Sequence, residues 1–355
     1  MKKFIRFICF LLVLGIVLVC TYSLLYMNNR KDSLHIKGYF KEPENTIDVV
    51  VIGASEVYTG FNSPLAWDDC GFTSYSVSFA GAPGSLYQSM LTEALTTQNP
   101  KLVAFEINGF LCGDEYLNSR AKMHTWFDNI PDSPTKWEAL EKLVEQDELA
   151  EFRFPFLKYH DNWRHPLRCG RNLLDQLLFL QVDVSETKCF GTTTSRKESA
   201  ELEKFKPKFQ ENSRKYLESL LQFCKDQGLE QVLFFRSPHS ITNTAPEVYD
   251  QIAALIQEYG YDFANFEHAF EETGLDPQND FYNKDHLNIY GAEKTTAFLS
   301  NYFCTHYDIK TDHPQEVIAQ WNTSAEKMKR IVAQCKEDIE AGKCSFYHEL
   351  SELDF

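Results

Sequence analysis

A serine and a histidine that lie far apart in the sequence each stand beside a pattern that would display them. Residues 48–55 read DVVVIGAS, a continuous apolar run typical of a buried parallel strand, and Ser55 ends it. Residues 280–291 read DFYNKDHLNIYG, a loop that brings His286 to the start of a helical pattern. Acyl transfer through a covalent intermediate needs a serine nucleophile and a histidine base. The pair therefore predicts serine-dependent acyl transfer or ester hydrolysis.

The elements that must position these side chains alternate between strands and helices. Strand patterns cover residues 47–53, 74–79, 102–107, 231–236 and 262–266, and helical patterns cover about 85–98, 207–227, 246–259 and 289–303. Repeated strand–helix units predict an α/β fold with a parallel sheet wound on both faces. Side chains that do chemistry gather at the carboxyl ends of such strands. The residues placed there by the pattern are Ser55, Gly81, Asn108, Asp285 and His286.

Other parts of the chain depart from this alternation. Residues 112–205 are rich in aromatic and charged side chains, with helical stretches near 135–151 and 170–182, and they indicate a helical insertion into the α/β domain. We expect that domain to cover residues 47–310. A polar linker over residues 28–46 would precede it, and an acidic helical tail over residues 311–355 would follow it.

Two polar sites outside the main pattern allow more than one interpretation. Residues 159–165 read YHDNWRH: they could form a cleft wall in which Arg164 clamps an anion, or the end of an amphipathic helix whose Trp163 is buried against the sheet. His239 follows a strand and could line the cleft or face solvent.

The first residues of the chain predict a membrane anchor. Residues 4–27 are almost wholly apolar apart from Arg6, and about 20 apolar residues span the hydrocarbon core of a bilayer. The stretch is longer than the apolar part of a cleaved signal peptide. Lys2 and Lys3 favour an amino terminus inside the cell. We expect residues 1–27 to be an uncleaved signal anchor of a single-pass membrane protein whose catalytic domain is extracytoplasmic.

Composition narrows the choice of partners. The formal net charge is −16 and no long basic run follows the amino terminus, which argues against a nucleic-acid binder. The ten cysteines show no spacing typical of a zinc site, and we expect neither a metal nor another cofactor. Cysteines of the exported part could pair, for example Cys335 with Cys344, or could stay reduced.

The blocks around these residues resemble the SGNH hydrolases, a GDSL-like superfamily named for its Ser, Gly, Asn and His motifs. The likeness covers residues 47–110 and 230–303. The HLNxxG ending at residues 286–291 is similar to the membrane-anchored branch, which includes proteins of lipoteichoic-acid D-alanylation and the alginate and peptidoglycan O-acetyltransferases. The resemblance implies an SGNH (flavodoxin-like) three-layer fold. It also implies a cell-envelope polymer or a polyol or carbohydrate ester as substrate, and a membrane-bound O-acyltransferase as possible partner.

The resemblance also implies a role for each matching residue. Ser55 would be the nucleophile and His286 the general base. The backbone N–H groups of Ser55 and Gly81, together with the Asn108 side chain, would form the oxyanion hole.

Two departures from the family pattern leave alternatives open. The third block reads EING at residues 106–109 where Gly-x-Asn-Asp is usual, and Asn283 stands where an aspartate usually precedes the histidine. The imidazole could therefore be oriented by Asn283, by Asp285 or by Asp280, or the site could be a Ser–His dyad. The chain could also be a non-catalytic scaffold of an envelope-modifying complex with a degenerate site.

Overall fold

The protein has a mixed α/β fold with a five-stranded parallel central sheet. The computed structural model describes residues 2–26, 30–180 and 183–348. The strands are β1 (Val49–Gly53), β2 (Ser74–Ser78), β3 (Leu102–Glu106), β4 (Thr192–Thr193), β5 (Glu203–Phe205), β6 (Val232–Arg236), β7 (Ile241–Asn243), β8 (Asp262–Asn265) and β9 (Phe346–Tyr347). The central sheet has the order β2-β1-β3-β6-β8. The predicted α/β class with a parallel sheet is confirmed.

Helices lie on both faces of this sheet and follow most of its strands. They are α1 (Lys2–Leu25), α2 (Arg30–Tyr39), α3 (Ser55–Gly60), α4 (Ser63–Cys70), α5 (Tyr87–Leu95), α6 (Asp114–Leu117), α7 (Arg120–Phe127), α8 (Pro134–Leu143), α9 (Leu149–Arg153), α10 (Phe156–Tyr159), α11 (Pro166–Leu180), α12 (Glu211–Asp226), α13 (Glu247–Glu258), α14 (Phe270–Thr273), α15 (Ile289–His306) and α16 (Gln315–Glu340). Short 3-10 helices cover Gly84–Leu86, Ile107–Phe110 and His160–Arg164.

The apolar run of β1 is explained by burial on both faces of the sheet. Val50 and Ile52 belong to the core shared with α5, α12 and α13, whereas Val49 and Val51 belong to the core shared with α4 and α15. Because alternate side chains of a strand point to opposite faces, every position of β1 must be apolar. These layers are compatible with a three-layer α/β fold.

The register of the parallel strands brings their carboxyl ends to one edge. Gly53 of β1 lies opposite Ser78 of β2, and Glu106 of β3 lies opposite Phe235 of β6. The segments that follow these strands therefore start side by side. They carry Ser55, Gly81, Asn108 and Ser237.

The sequence predicted a polar linker over residues 28–46. This prediction is wrong for residues 30–39, which form helix α2. Asp32 and His35 are buried there, and the Asp32 carboxylate accepts a hydrogen bond from the Ala80 N–H at 3.0 Å. The helix packs against the domain, since Ile36 and Tyr39 belong to the main core. The polar composition of residues 28–46 gave no sign of this packing.

Residues 315–347 fold back onto the domain. Trp321, Met328 and Cys335 of α16 are buried, and β9 pairs antiparallel with β4, Tyr347 opposite Thr192. All ten cysteines lie in the described residues and all are free thiols. The suggested Cys335–Cys344 disulfide is therefore wrong: Cys335 is buried in the helix, and the Cys344 sulfur lies 2.9 Å from the Ser195 hydroxyl.

Candidate active site

The predicted serine and histidine meet at the carboxyl edge of the sheet. Ser55 is the first residue of α3, directly after β1, and its Oγ lies 2.6 Å from Nε2 of His286. Both side chains are only partly buried and so are accessible to solvent. A hydroxyl this close to an imidazole nitrogen can lose its proton to it as it attacks a carbonyl carbon.

Asn283 holds the other side of the imidazole ring. Its Oδ1 accepts hydrogen bonds from the backbone N–H groups of Asp285 and His286, each at 2.9 Å. The same oxygen lies 2.9 Å from Nδ1 of His286. Because an amide oxygen can only accept, Nδ1 must carry the proton and Nε2 is left to accept from the Ser55 hydroxyl. This is the tautomer that a general base requires.

The two aspartates considered from the sequence are not partners of the imidazole. Asp280 is buried, and its carboxylate accepts from the Asp276 N–H at 2.6 Å and from Lys294 at 2.7 Å. Asp285 contributes its backbone N–H to Asn283, and no hydrogen bond joins its carboxylate to His286 among the described contacts. Of the three candidates, the structure brings only Asn283 to the ring.

The loop that carries His286 is held tightly at both ends. The Tyr282 N–H donates to the His286 carbonyl at 3.1 Å, and the Tyr282 ring stacks on the imidazole with centroids 5.3 Å apart. Asn288 caps α15 by accepting from the Tyr290 N–H at 3.0 Å. A Cβ on Gly291 would collide with the Asp280 carbonyl oxygen. The HLNxxG run therefore couples the histidine loop to the start of α15.

Gly81 lies in the turn after β2 with a φ of +60°, which favours glycine. Its carbonyl accepts from the Tyr116 hydroxyl at 2.8 Å, and a Cβ here would collide with that hydroxyl. The neighbouring Ala80 is held by Asp32 and Lys122. The turn is thus fixed beside the serine edge of the sheet, with Gly81 partly exposed.

Asn108 follows β3, and both ends of its side-chain amide are engaged. Its Nδ2 donates to the Glu56 carboxylate, and its Oδ1 accepts from Nη1 of Arg236 at 2.9 Å. One N–H of the amide is used by Glu56, and the second has no described partner. The residue is partly buried.

A buried ionic network beneath Asn108 was not predicted from the sequence. Arg236, at the end of β6, lies 3.2 Å from both Glu106 and Glu267 and is 1% exposed. Glu56, the residue after the serine, is also buried. Burial raises the pKa of Glu106, which the Arg236 guanidinium opposes. The sequence held one sign of this network: β3 and β6 are apolar except for their last residues, which are the charged Glu106 and Arg236.

His239 is buried beside this network rather than in an open cleft or in solvent. Its Nδ1 donates to the Ser237 carbonyl at 2.7 Å, while Nε2 has no hydrogen-bond partner among the described residues. Burial, aided by the Arg236 charge, lowers the pKa of His239 from 6.5 to about 4. The imidazole is therefore neutral at pH 7.

This shift predicts a loss of stability in acid. The folded protein binds fewer protons at His239 than the unfolded chain, so stability falls as the pH drops from about 6.5 towards about 4. Between pH 7 and pH 5 we expect the free energy of unfolding to fall by about 2 kcal/mol more in wild type than in His239→Gln. The raised pKa of Glu106 acts in the opposite direction in both proteins.

Denaturant unfolding at the two pH values measures this difference. The exposed His165 provides the control variant, His165→Gln, which should follow wild type. Equal acid sensitivity of wild type and His239→Gln would contradict the assignment of His239 as a buried neutral group.

A second prediction concerns the amide that orients the histidine. Asn283→Asp keeps the acceptor for Nδ1 and adds a negative charge that stabilises the imidazolium formed in the transition state. An aspartate-to-asparagine change at this position of a serine protease triad lowers the rate about 10⁴-fold, so we expect Asn283→Asp to raise ester cleavage at least about tenfold. Because the charge favours the protonated ring, the acid limb of the pH–rate profile should move to higher pH.

Asn283→Leu is the matched variant, since it removes the acceptor without adding charge. It should cleave the ester more slowly than wild type. A pH–rate profile of Asn283→Asp that overlays wild type in both height and position would mean that Asn283 does not act on the reacting histidine.

Comparison with known proteins identifies no relative. No protein-family model, no curated protein and no solved structure matches the chain.

Proposed function

We propose that this protein is a membrane-anchored, extracytoplasmic serine esterase or acyltransferase of SGNH type. The observation that carries the proposal is the chain of contacts from Ser55 Oγ through His286 to Asn283 Oδ1, at 2.6 and 2.9 Å. The proposed nucleophile, base and orienting group form one series of contacts at the carboxyl edge of a parallel sheet, where α/β enzymes place their sites. The resemblance of the surrounding motifs to the SGNH hydrolases supports the same class.

The reaction begins with attack of Ser55 Oγ on the carbonyl carbon of an ester while His286 Nε2 takes the hydroxyl proton. The developing oxyanion accepts from the N–H groups of Ser55 and Gly81 and from the Asn108 side chain. The Ser55 N–H lies in the first turn of α3, where N–H groups have no intrahelical acceptor. Collapse of the intermediate breaks the ester bond, and the imidazolium returns the proton to the leaving alcohol.

The acyl group then leaves Ser55 by the same steps in reverse. Water or an acceptor hydroxyl attacks the acyl-enzyme, His286 takes its proton, and the proton returns to Ser55 Oγ. Attack by water gives hydrolysis, and attack by a sugar or polyol hydroxyl gives transfer. Exclusion of water and positioning of the acceptor decide between the two outcomes.

The proposed substrate and partner come from the resemblance. Proteins of the membrane-anchored branch modify cell-envelope polymers, which makes an O-acetyl or D-alanyl ester of such a polymer the substrate class we propose. A membrane-bound O-acyltransferase would supply the acyl group.

The membrane anchoring rests on a separate observation. Helix α1 has 24 residues, a mean hydropathy of 2.7 over its most apolar window and no buried residue in that window, so it is long and apolar enough to span a membrane. We propose that it anchors the chain with the α/β domain outside the cytoplasm, as Lys2 and Lys3 favour.

A non-catalytic scaffold is the second candidate. The observation in its favour is that His286 is oriented by the neutral amide of Asn283 and not by a carboxylate. An amide fixes the tautomer but does not stabilise the imidazolium, which lowers the reactivity of the serine. A protein that needs only to bind an esterified polymer would tolerate that change.

Ester cleavage by the detergent-solubilised full chain separates these two candidates. We expect wild type to release p-nitrophenol from p-nitrophenyl acetate above the background rate and Ser55→Ala to lose this activity. Ser199→Ala, a change at an exposed serine, is the control and should retain it. A folded wild-type protein that cleaves no faster than Ser55→Ala would favour the scaffold.

A further inference from the structure

We propose that residues 154–180, here called the interfacial segment, lie in the outer face of the lipid bilayer beside the exit of α1. This inference rests on the proposed anchoring by α1 and is independent of the proposed chemistry. It assigns a partner, an anionic phospholipid surface, to a part of the chain that the catalytic site does not use.

The interfacial segment carries the exposed apolar side chains of the domain. In the described residues outside α1, every large apolar side chain that is strongly exposed lies in it: Phe154, Phe156, Leu157, Trp163, Leu167, Leu174, Leu177 and Leu180. Leu167 is 91% exposed and Trp163 is 64% exposed. Exposed apolar side chains gathered in one segment of this kind mark an interaction site.

The exposed leucines lie on one side of an amphipathic helix. Leu167, Leu174 and Leu177 of α11 are seven and three residues apart, a spacing that keeps side chains on neighbouring positions of one face. Cys169 and Phe179 of the same helix are buried against the protein. Helix α11 thus has one apolar side turned to the protein and another turned outward, as expected for a helix between a domain and a membrane.

The position of the segment is fixed by the end of α1. The Asn162 side chain donates to the carbonyl of Leu25, the last residue of α1, at 2.8 Å. The Tyr26 ring packs edge-on against the Tyr159 ring with centroids 4.9 Å apart. Helix α1 is about 36 Å long at 1.5 Å per residue, longer than the hydrocarbon core of about 30 Å. Its last turn, and the residues bonded to it, therefore lie at the level of the lipid headgroups.

The charge of the segment has the sign that phospholipid headgroups attract. Residues 154–180 contain four arginines and lysines against two aspartates, a net charge of +2 in a chain with a formal net charge of −16. Arg164 and Arg168 are exposed beside the apolar residues. Basic side chains next to exposed leucine and tryptophan are typical of helices that lie on anionic membranes.

Neither sequence interpretation of residues 159–165 is correct, and the observed positions of these residues agree with a place at the membrane. Trp163 is exposed and not buried against the sheet, and Arg164 contacts Asp161 and the Trp163 ring rather than the serine site. A second copy of the chain or a membrane protein could also cover an apolar patch. Lipid is favoured because the patch is continuous with the exit of the proposed anchor and carries basic residues.

Contact of the interfacial segment with lipid would place the proposed active site, at the carboxyl edge of the sheet, close to the membrane. Tyr26 and Lys31 are five positions apart in the sequence, which limits the distance between them to about 18 Å. Lys31 donates to the Tyr58 hydroxyl at 2.7 Å, and Asp32 accepts from Ala80. Tyr58 lies in the serine helix α3, and Ala80 precedes Gly81. The site would thus serve esters that are themselves held at the membrane surface.

Tryptophan quenching by brominated lipids tests the seating. Full-length wild type, Trp163→Phe and Trp137→Phe are incorporated into nanodiscs of phosphatidylcholine and phosphatidylglycerol, with or without bromine on the acyl chains. We expect brominated lipid to remove most of the Trp163 emission. The loss of emission caused by bromine should therefore disappear in Trp163→Phe. It should persist in Trp137→Phe, which removes a tryptophan of α8 instead.

The other outcomes are distinct. Equal emission of wild type in brominated and ordinary lipid overturns the proposal, whether the protein in the disc is a monomer or a dimer covering its own patch. A chain that does not enter the discs contradicts the anchoring itself. Ser55→Ala should be quenched like wild type, so failure of the proposed chemistry would leave this result unchanged.

Discussion

Replacement of His286 by alanine is expected to slow the reaction of Ser55 with a fluorophosphonate by about 10²- to 10⁴-fold. The imidazole lies 2.6 Å from Ser55 Oγ and is the base that we propose removes its proton as the bond to phosphorus forms. Without it the hydroxyl must lose its proton to water. The second-order rate of labelling of the full-length protein in detergent, followed with a fluorescent fluorophosphonate, measures this effect.

His306→Ala is the control for this experiment. His306 is exposed at the end of α15, the helix that follows the histidine loop, and its ring lies 2.9 Å from the Tyr302 carbonyl. This variant should label at the wild-type rate. Unchanged labelling in His286→Ala would show that the contact between the two side chains has no part in activating the serine.

Removal of the Arg236 guanidinium is expected to have the largest effect on stability. Arg236→Ala leaves Glu106 and Glu267 buried without their counter-charge, and loss of one partner from a buried ion pair costs about 3–5 kcal/mol. It also removes the donor to Asn108 Oδ1, so the amide that we propose for the oxyanion hole loses its fixed orientation. We expect a lower free energy of unfolding in denaturant and slower ester cleavage in the fraction that stays folded.

Arg214→Ala supplies the comparison. Arg214 pairs with Glu218 one turn along α12 at 2.8 Å, and both side chains are exposed to solvent. Such surface pairs contribute between zero and about 1 kcal/mol. If Arg236→Ala destabilised the protein no more than Arg214→Ala, the network would not be the buried, charge-balanced structure described above.

The central sheet could be predicted because its signal is local. Strands β1, β3 and β6 are buried at every position and so read as short, mainly apolar runs. The place of Ser55 at the end of such a run followed from the same pattern. The histidine loop was recognised from its motif, and Asn283 was among the candidates for orienting it.

The buried polar contacts could not be read from the chain because they join segments far apart in sequence. Arg236 meets Glu106 and Asn108 only once β3 and β6 pair. Composition does not tell a buried charge from a solvated one, and the same limit made α2 look like a linker. Asp32 is a polar residue in the sequence and a buried acceptor in the fold.

The exposed apolar residues of the interfacial segment show that the sequence also does not reveal which apolar residues stay outside the core. An amphipathic pattern predicts a helix with an apolar face but not what that face contacts, and one of the two interpretations of residues 159–165 buried Trp163 against the sheet. The structure places the Trp163 side chain 64% exposed near the end of α1. What covers it is decided by the surroundings of the protein and not by its own core.

The location of the fluorophosphonate adduct tests the central claim most directly. After labelling of the full-length protein, proteolysis and mass spectrometry identify the modified residue among all of its serines. We predict a single adduct on Ser55, absent from Ser55→Ala and strongly reduced in His286→Ala. An adduct on another serine, or none on a folded wild-type protein, would contradict the assignment of Ser55 as an activated nucleophile.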